Sequence, residues 1–374
     1  MPKILIVRLG AMGDVIHALP VVAALRNAMP DAHIGWAIEE RWSELLCAKV
    51  FAPDAHLSDQ KPLVNSIHFL NTKAWRKNIF ASETRQQLSG LRHELLGQAY
   101  DIAIDLQGAL KSAVITRASG ARLRFGSDNP REAPAKLFYI GLPASGTHVI
   151  EQNLSLLQAA IPEVAPAPLP LAVIPSAFPL DPAAEYLMES ALRSRSITKF
   201  AILNPGAGWA AKEWPAERYA EVTKELAKDG ITCLVNIGPG KHDVTLAGNV
   251  KQESVGLVSG KYFLDKITDL HSGNAAWRFS CSIGHLISLT RRAALFIGGD
   301  TGPMHLAAAL GVPVVAIFGP TDPARNGPYY QPHIVLRSPK SITSYSHVDT
   351  PDPGILSIRE EEVTAAARKL LCDT

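Results

Sequence analysis

The chain has 374 residues, enough for two domains of ordinary size, each with its own core. It is 47% hydrophobic and 19% charged, with a formal charge of +2. Those values exclude a disordered chain, a collagen-like one and a general nucleic-acid binder, and leave any basic surface local.

The first element is KILIVRL (residues 3–9), an apolar run that predicts a buried strand, and a helix follows from about Asp14 to Ala28. HIGWAIE (33–39) predicts a second strand, a long helical region follows Thr72, and DIAIDLQ (101–107) predicts a strand with a helix after Gly108. Strands that are apolar throughout, separated by helices, predict a parallel sheet covered on both faces. Residues 161–181 carry Pro162, Pro166, Pro168, Pro170, Pro175 and Pro179, a density incompatible with a central element, and predict the linker. The alternation resumes with FAILNPG (200–206), a helix after Pro215, TCLVNIG (232–238), helices after Lys241 and Ser282, AALFIGGD (293–300), a helix from Pro303, and PVVAIFG (313–319). Residues 251–280 read poorly as helix or strand and stand as an insertion of uncertain shape, while SIREEEVTAAARKLLCD (357–373) predicts a terminal helix.

The expected fold is α/β: a doubly wound Rossmann-like domain over 1–170, another over 171–355, and a helix over 356–374 for which the N-terminal domain is one packing surface. Two such domains in tandem predict a cleft between their strand ends. Cys47, Cys233, Cys281 and Cys372 form no C-x-x-C pair, which argues against a zinc site or a disulfide framework and fits a reducing cytoplasm. No export signal is visible, and no apolar run reaches the roughly 18 to 20 residues needed to span a bilayer. Work at a membrane is then expected from its surface.

Ligands of open α/β sheets bind beyond the carboxyl ends of the strands, so the loops there carry the chemistry. RLGAMGDVIHALP (8–20) has only Gly10 and Gly13 of a dinucleotide fingerprint, and Asp14 opposes an anion. On the residues alone Asp14 reads first as a helix N-cap, with a general base facing the cleft as the alternative. GAGWAAKEWP (206–215) sets Ala207 and Gly208 ahead of Lys212, either a diphosphate cradle or an ordinary Gly-rich loop. In GGDTGPMHLAAALGVP (298–313), Asp300 ends a strand and the N–H groups of Thr301 and Gly302 face an anion at a helix start. His305 projects from the same end, and simple capping is the alternative. FGPTDPARNGP (318–328) is explained by turn chemistry. TKAWRKNIF (72–80) joins Lys73, Arg76 and Lys77 to Trp75, Ile79 and Phe80, which suits an anionic, partly lipidic surface or a solvated helix face; Arg117 and Arg131 extend such a patch. G-x-S-x-G, H-E-x-x-H and P-loop patterns are absent.

The segments ILIVRLGAMGDVIHALP, WAIEE, DLQGALKS, REAPAKLFY, KEWP, DTGPMHLAAALG and FGPTDP stand in an order that resembles the bacterial lipopolysaccharide heptosyltransferases, glycosyltransferase family 9, of the GT-B fold. The resemblance covers nearly the whole chain, and WAIEE, DLQGALKS and the Arg131-Glu132 run ending in LFY look most like the heptosyltransferase I branch. It implies ADP-heptose as donor substrate in the C-terminal domain and Kdo-lipid A as acceptor in the N-terminal one. It makes Asp14, in Met12-Gly13-Asp14, the catalytic base, reversing the reading as a cap. Lys212 and the helix start at Thr301 and Gly302 then take charge on the diphosphate, so neither a metal nor another cofactor is expected.

By the same resemblance Asp300 and His305 match donor-site positions. Ala207 and Gly208 replace hydroxyl side chains near the diphosphate, leaving backbone contacts only. His242 stands where a glutamate meets the ribose, with Asp243 beside it, and Cys281 falls near the adenine pocket. Lys73, Arg76, Lys77, Arg117 and Arg131 match an acceptor-binding basic segment. The resemblance implies a cytoplasmic protein in peripheral contact with the inner membrane. Its rivals are a heptosyltransferase II or III acting on a heptose acceptor, a GT-B nucleotide-sugar epimerase, and a non-catalytic sugar-nucleotide binder.

Overall fold

In the computed structural model, which describes residues 1–51, 57–78, 81–164, 174–236, 263–268, 275–330, 332–346 and 348–373, the chain divides into two units, Met1–Pro179 and Leu180–Thr374. The division falls inside the proline-rich stretch, later than the expected 170/171 boundary.

The first unit runs β1 (Lys3–Val7), α1 (Met12–Ala28), β2 (His33–Glu39), β3 (Ala48–Phe51), β4 (Leu57–Gln60), β5 (Ser66–Leu70), α2 (Thr72–Lys77), α3 (Ser82–Gln98), β6 (Ile102–Asp105), α4 (Leu110–Ala118), β7 (Leu123–Ser127), β8 (Ile140–Leu142) and α5 (Val149–Ala160). Six of these strands form a sheet in the order β5-β2-β1-β6-β7-β8, every pair parallel, while β3 and β4 make a separate antiparallel ribbon. Four of the five β1 residues are fully buried because the strand is central and covered on both faces. Helix α1 packs on α5 as well as under the sheet, so Val15 through Leu25 are buried without a polar face. Gly35 in β2 leaves room for Tyr100: a Cβ there would stand 1.9 Å from the Tyr100 hydroxyl. The long helical region expected after Thr72 comprises two helices, α2 and α3.

The second unit runs α6 (Pro182–Arg193), β9 (Phe200–Asn204), α7 (Ala216–Lys228), β10 (Thr232–Asn236), β11 (Phe263–Thr268), β12 (Ala275–Ser280), α8 (Ile283–Arg291), β13 (Leu295–Gly299), α9 (Gly302–Ala309), β14 (Val314–Phe318), α10 (Pro323–Asn326), β15 (His333–Arg337) and α11 (Glu360–Cys372). Its sheet has the order β11-β12-β10-β9-β13-β14-β15, parallel except where β11 meets β12. The stretch left unassigned at 251–280 therefore ends in two sheet strands. The helix expected after Lys241 lies outside the described residues.

Helix α11 packs on its own unit. Val363, Ala366, Ala367 and Leu370 join the core of Ala201, Leu203, Trp214, Val222, Leu295 and Val315. Leading into it, the Ile358 carbonyl accepts hydrogen bonds from the Trp214 indole (2.9 Å) and the Arg218 guanidinium. Its stripe of apolar residues is matched by the groove of α7 against β13, β14 and β15. Among the described residues no helix is long and apolar enough to cross a membrane.

Candidate active site

The first cluster crowns the sheet of unit one. Asp14 is not the cap of α1: Ala11 holds that position and Asp14 is the third helical residue, its Oδ2 accepting the Ala11 N–H at 3.1 Å. Its other oxygen pairs with Arg8 Nη2 at 2.7 Å. Arg8 ends the first apolar run and is buried; its Nη1 donates to the Leu106 carbonyl after β6, and its own carbonyl accepts the Trp36 indole N–H at 3.0 Å. The guanidinium thus ties the loops after β1 and β6 together and orients a carboxylate that keeps 38% of its side chain exposed. An oriented, reachable carboxylate is what proton abstraction needs.

Around it stand residues from WAIEE and DLQGALKS. Glu39, buried at the end of β2, accepts a hydrogen bond from the Thr72 hydroxyl and lies 3.9 Å from Lys111 Nζ. Asp105 at the end of β6 accepts from the Gln107 and Gly108 N–H groups (2.8 and 3.1 Å) and the Ser112 hydroxyl (2.8 Å). Burial pushes its carboxyl up to about 6 against those three bonds and the Arg8 charge. Asp105 is therefore a loop anchor. Arg8, Glu39, Asp105 and Lys111 were missed as single residues; the available signal was a charged side chain ending or following an apolar strand, which burial obliges to find a partner.

The basic acceptor residues come from separate elements. Lys73 is exposed in α2, beyond the end of β5, in a helix whose start is capped by Asn71 accepting the Ala74 N–H at 3.1 Å. Arg76 and Lys77 continue α2, and Ile79 and Phe80 lie outside the described residues. Trp75 packs on the core of Leu70, Leu91 and Leu95 and donates to Gln87 at 2.7 Å, so it faces the protein, not a lipid. Arg131 sits at the N-terminal end of α4, where the Glu132 carboxylate accepts the Leu110 N–H at 2.8 Å. Arg117 is in the last turn of α4. Since α4 runs back along the sheet from β6, Arg117 lies about 10 Å down the helix from Leu110, away from the strand ends. Arg117, expected to extend the patch of Lys73, Arg76 and Lys77, is thus on the far end of α4.

The second cluster crowns the sheet of unit two. Because β9 and β13 are neighbours, the loop after β9 meets the turn after β13: Lys212 Nζ lies 2.5 Å from Asp300 Oδ2, and His305 Nε2 lies 3.2 Å from Oδ1. Lys212 also stands over the Trp209 ring, 4.1 Å from its centre. The lysine and aspartate side chains are only 10% and 7% exposed. Burial alone pushes the Asp300 carboxyl up, but the His305 hydrogen bond and the His305 and Lys212 charges outweigh it and hold it well below the usual carboxylate range. Thr301 caps α9, Gly302 is its first residue, and their N–H groups lie at the end of the helix where intrahelical acceptors run out. Ala207 and Gly208 lie on the same loop as Lys212, and Cys281 follows β12 two strands away. His242 and Asp243 lie outside the described residues. Asp300 is then a support for Lys212 and His305, its two oxygens both engaged. Among the described residues no group of three or more His, Cys, Asp or Glu side chains is arranged to hold a metal ion.

Comparison with known proteins gives the family and the fold. "Lipopolysaccharide heptosyltransferase 1" of Pseudomonas aeruginosa is 27% identical over 346 residues, covering 90% of this chain and 84% of the relative. A "Lipopolysaccharide heptosyltransferase 3" of Escherichia coli is 24% identical, covering 83% and 81%. The solved structure of "E. coli heptosyltransferase WaaC with ADP" superposes with a TM-score of 0.71 at 22% identity, covering 98% of this chain and 99% of that one, which shows the GT-B fold. The family profile matches residues 88–276 and 280–350, so that both units are included. The chain belongs to glycosyltransferase family 9 (heptosyltransferase) and is a glycosyltransferase.

Proposed function

We propose that the protein transfers heptose from ADP-heptose to the Kdo of a Kdo-lipid A acceptor, with inversion at the anomeric carbon. The observation that carries this reading is the Arg8-held, partly exposed Asp14 carboxylate at the end of β1. In one displacement, Asp14 takes the proton of an acceptor hydroxyl as its oxygen bonds to C1 of the heptose. The bond from C1 to the diphosphate oxygen breaks, and ADP leaves with that electron pair. Lys212 and the start of α9 stabilise the charge that grows on the diphosphate, a task that needs no metal in this mechanism. Lys73, Arg76, Lys77 and Arg131 receive the acceptor's carboxylates and phosphates, and the protein works from the cytoplasmic face of the inner membrane. The likeness to a heptosyltransferase 3 supports a second reading, a heptose acceptor with the same donor.

Mass spectrometry of Kdo-lipid A incubated with ADP-heptose tests both. Native protein adds one heptose, and folded Asp14→Asn loses about 10²- to 10⁴-fold in rate. Transfer only to an already heptosylated acceptor selects the second reading, and equal rates for the two proteins remove Asp14 from the chemistry.

A further inference from the structure

Helix α4 buries Ser112, Ala113, Ile115 and Thr116 and turns Leu110, Val114 and Arg117 outward, at the i, i+4, i+7 spacing of one stripe. Leu110 is 40% exposed and Val114 45%. Beside α4 lies the single 3-10 turn of Ala133–Leu137, joined to it through buried Ala113, Ala135 and Tyr139. The next residues of that turn, Lys136 and Leu137, point to solvent, and Leu137 is 85% exposed. Three large aliphatic side chains exposed on adjoining elements form an apolar patch of the kind that marks an interaction site.

The charges around them have one dominant sign. From Leu110 to Phe138 the sequence carries Lys111, Arg117, Arg122, Arg124, Arg131 and Lys136 against Asp128 and Glu132, in a chain whose formal charge is only +2. One of the two acids, Glu132, is spent on the Leu110 N–H. Apolar side chains in a cation-rich segment complement an anionic bilayer, which attracts nearby Lys and Arg. Lys111, the residue after Leu110, has its ammonium 3.9 Å from Glu39 in the first cluster, so the face adjoins the loops that carry Asp14.

We propose that this face, Leu110, Val114 and Leu137 with Lys111, Arg117 and Lys136, is where the protein docks on an anionic lipid bilayer. The proposal rests on the lipid-linked acceptor reading above and moves the bilayer contact from the segment around Trp75 to α4. Arg117, remote from the strand ends, is thereby a bilayer contact.

The test is co-sedimentation of the full chain with phosphatidylglycerol–phosphatidylcholine vesicles and with phosphatidylcholine alone. Native protein sediments with the anionic vesicles and is released by salt. Val114→Asp/Leu137→Asp, and Leu137→Asp alone, bind at least 10-fold more weakly while keeping the native melting temperature and the rate on a deacylated, water-soluble acceptor. Lys136→Glu weakens binding and lowers its salt dependence. Undiminished vesicle binding by the double variant overturns the proposal. So does a native dimer in sedimentation velocity that the variant loses, since the occupant is then a second copy. Native protein that binds vesicles but transfers nothing to the soluble acceptor counts against the acceptor reading alone, because the vesicle result stands by itself.

Discussion

The loop after β1 in one Rossmann-like unit, and the loops after β9 and β13 in the other, lie at the carboxyl ends of their sheets, and each crown offers an aspartate and a cation. They use them differently. Arg8 is the buried partner and Asp14 the reachable one, whereas Asp300 is buried between Lys212 and His305 with both oxygens engaged. The first pair leaves its anion reachable, whereas in the second both side chains are at most 10% exposed and the aspartate is the doubly anchored member. A base belongs to the first arrangement, a phosphate-facing cation to the second.

Removing the cation from the buried pair gives the largest effect. Lys212→Met leaves Asp300 with His305 alone, and loss of one partner of a buried pair costs about 3 to 5 kcal/mol. Urea denaturation should show that loss together with weakened ADP binding by calorimetry; an unchanged midpoint would mean that the pair is solvated. Arg8→Lys keeps the charge but cannot span Asp14 and the Leu106 carbonyl together, so kcat should fall about 10- to 100-fold with donor KM unchanged, in a steady-state assay.

Two buried carboxylates sharpen the contrast through pH. Asp300 has a depressed folded pKa, so its stabilisation is present above about pH 4, the unfolded value, and is lost as pH falls toward the folded one. The destabilisation by Asp300→Asn is therefore full at pH 7 and shrinks below about pH 4. Asp105, raised to about 6, has the other sign: the folded state holds its proton between about pH 4 and 6, so native stability declines as pH rises through that window. The cost of Asp105→Asn should accordingly be smaller at pH 7.5 than at pH 5, in thermal melts across that range. The smallest effect is expected from Asn71→Ala, which removes the cap of the helix bearing Lys73 and should cost about 1 kcal/mol in the same melts.

The alternation of apolar runs and helices was legible because β1, β2, β6, β9, β13 and β14 are buried on both faces, and the order of motifs was legible because they sit at strand ends. Partnership was less so. The run KILIVRL shows an arginine ending a buried strand, yet nothing local says that its partner is Asp14 and not an acid elsewhere. Arg117 and Arg131 are near in sequence, but a helix of nine residues keeps them at opposite ends. The terminal helix announces an apolar stripe, and a stripe alone does not name the groove that takes it. Asp300 was recognised as a site residue, while its role as a support became visible only when β9 and β13 proved to be neighbours.

The Ile358 carbonyl, which holds the Trp214 indole two residues beyond Lys212, has a consequence for biosynthesis. The ribosome delivers the β9 loop long before the segment that braces it and the α11 residues that close its core. The first unit, complete by Pro179, can acquire its structure while the remaining half is still being made, for about 10 to 40 s at roughly 5–20 residues per second. During that interval a nascent chain carries a finished Asp14 loop and an unbraced Lys212 loop, and competence to hold the donor arrives last.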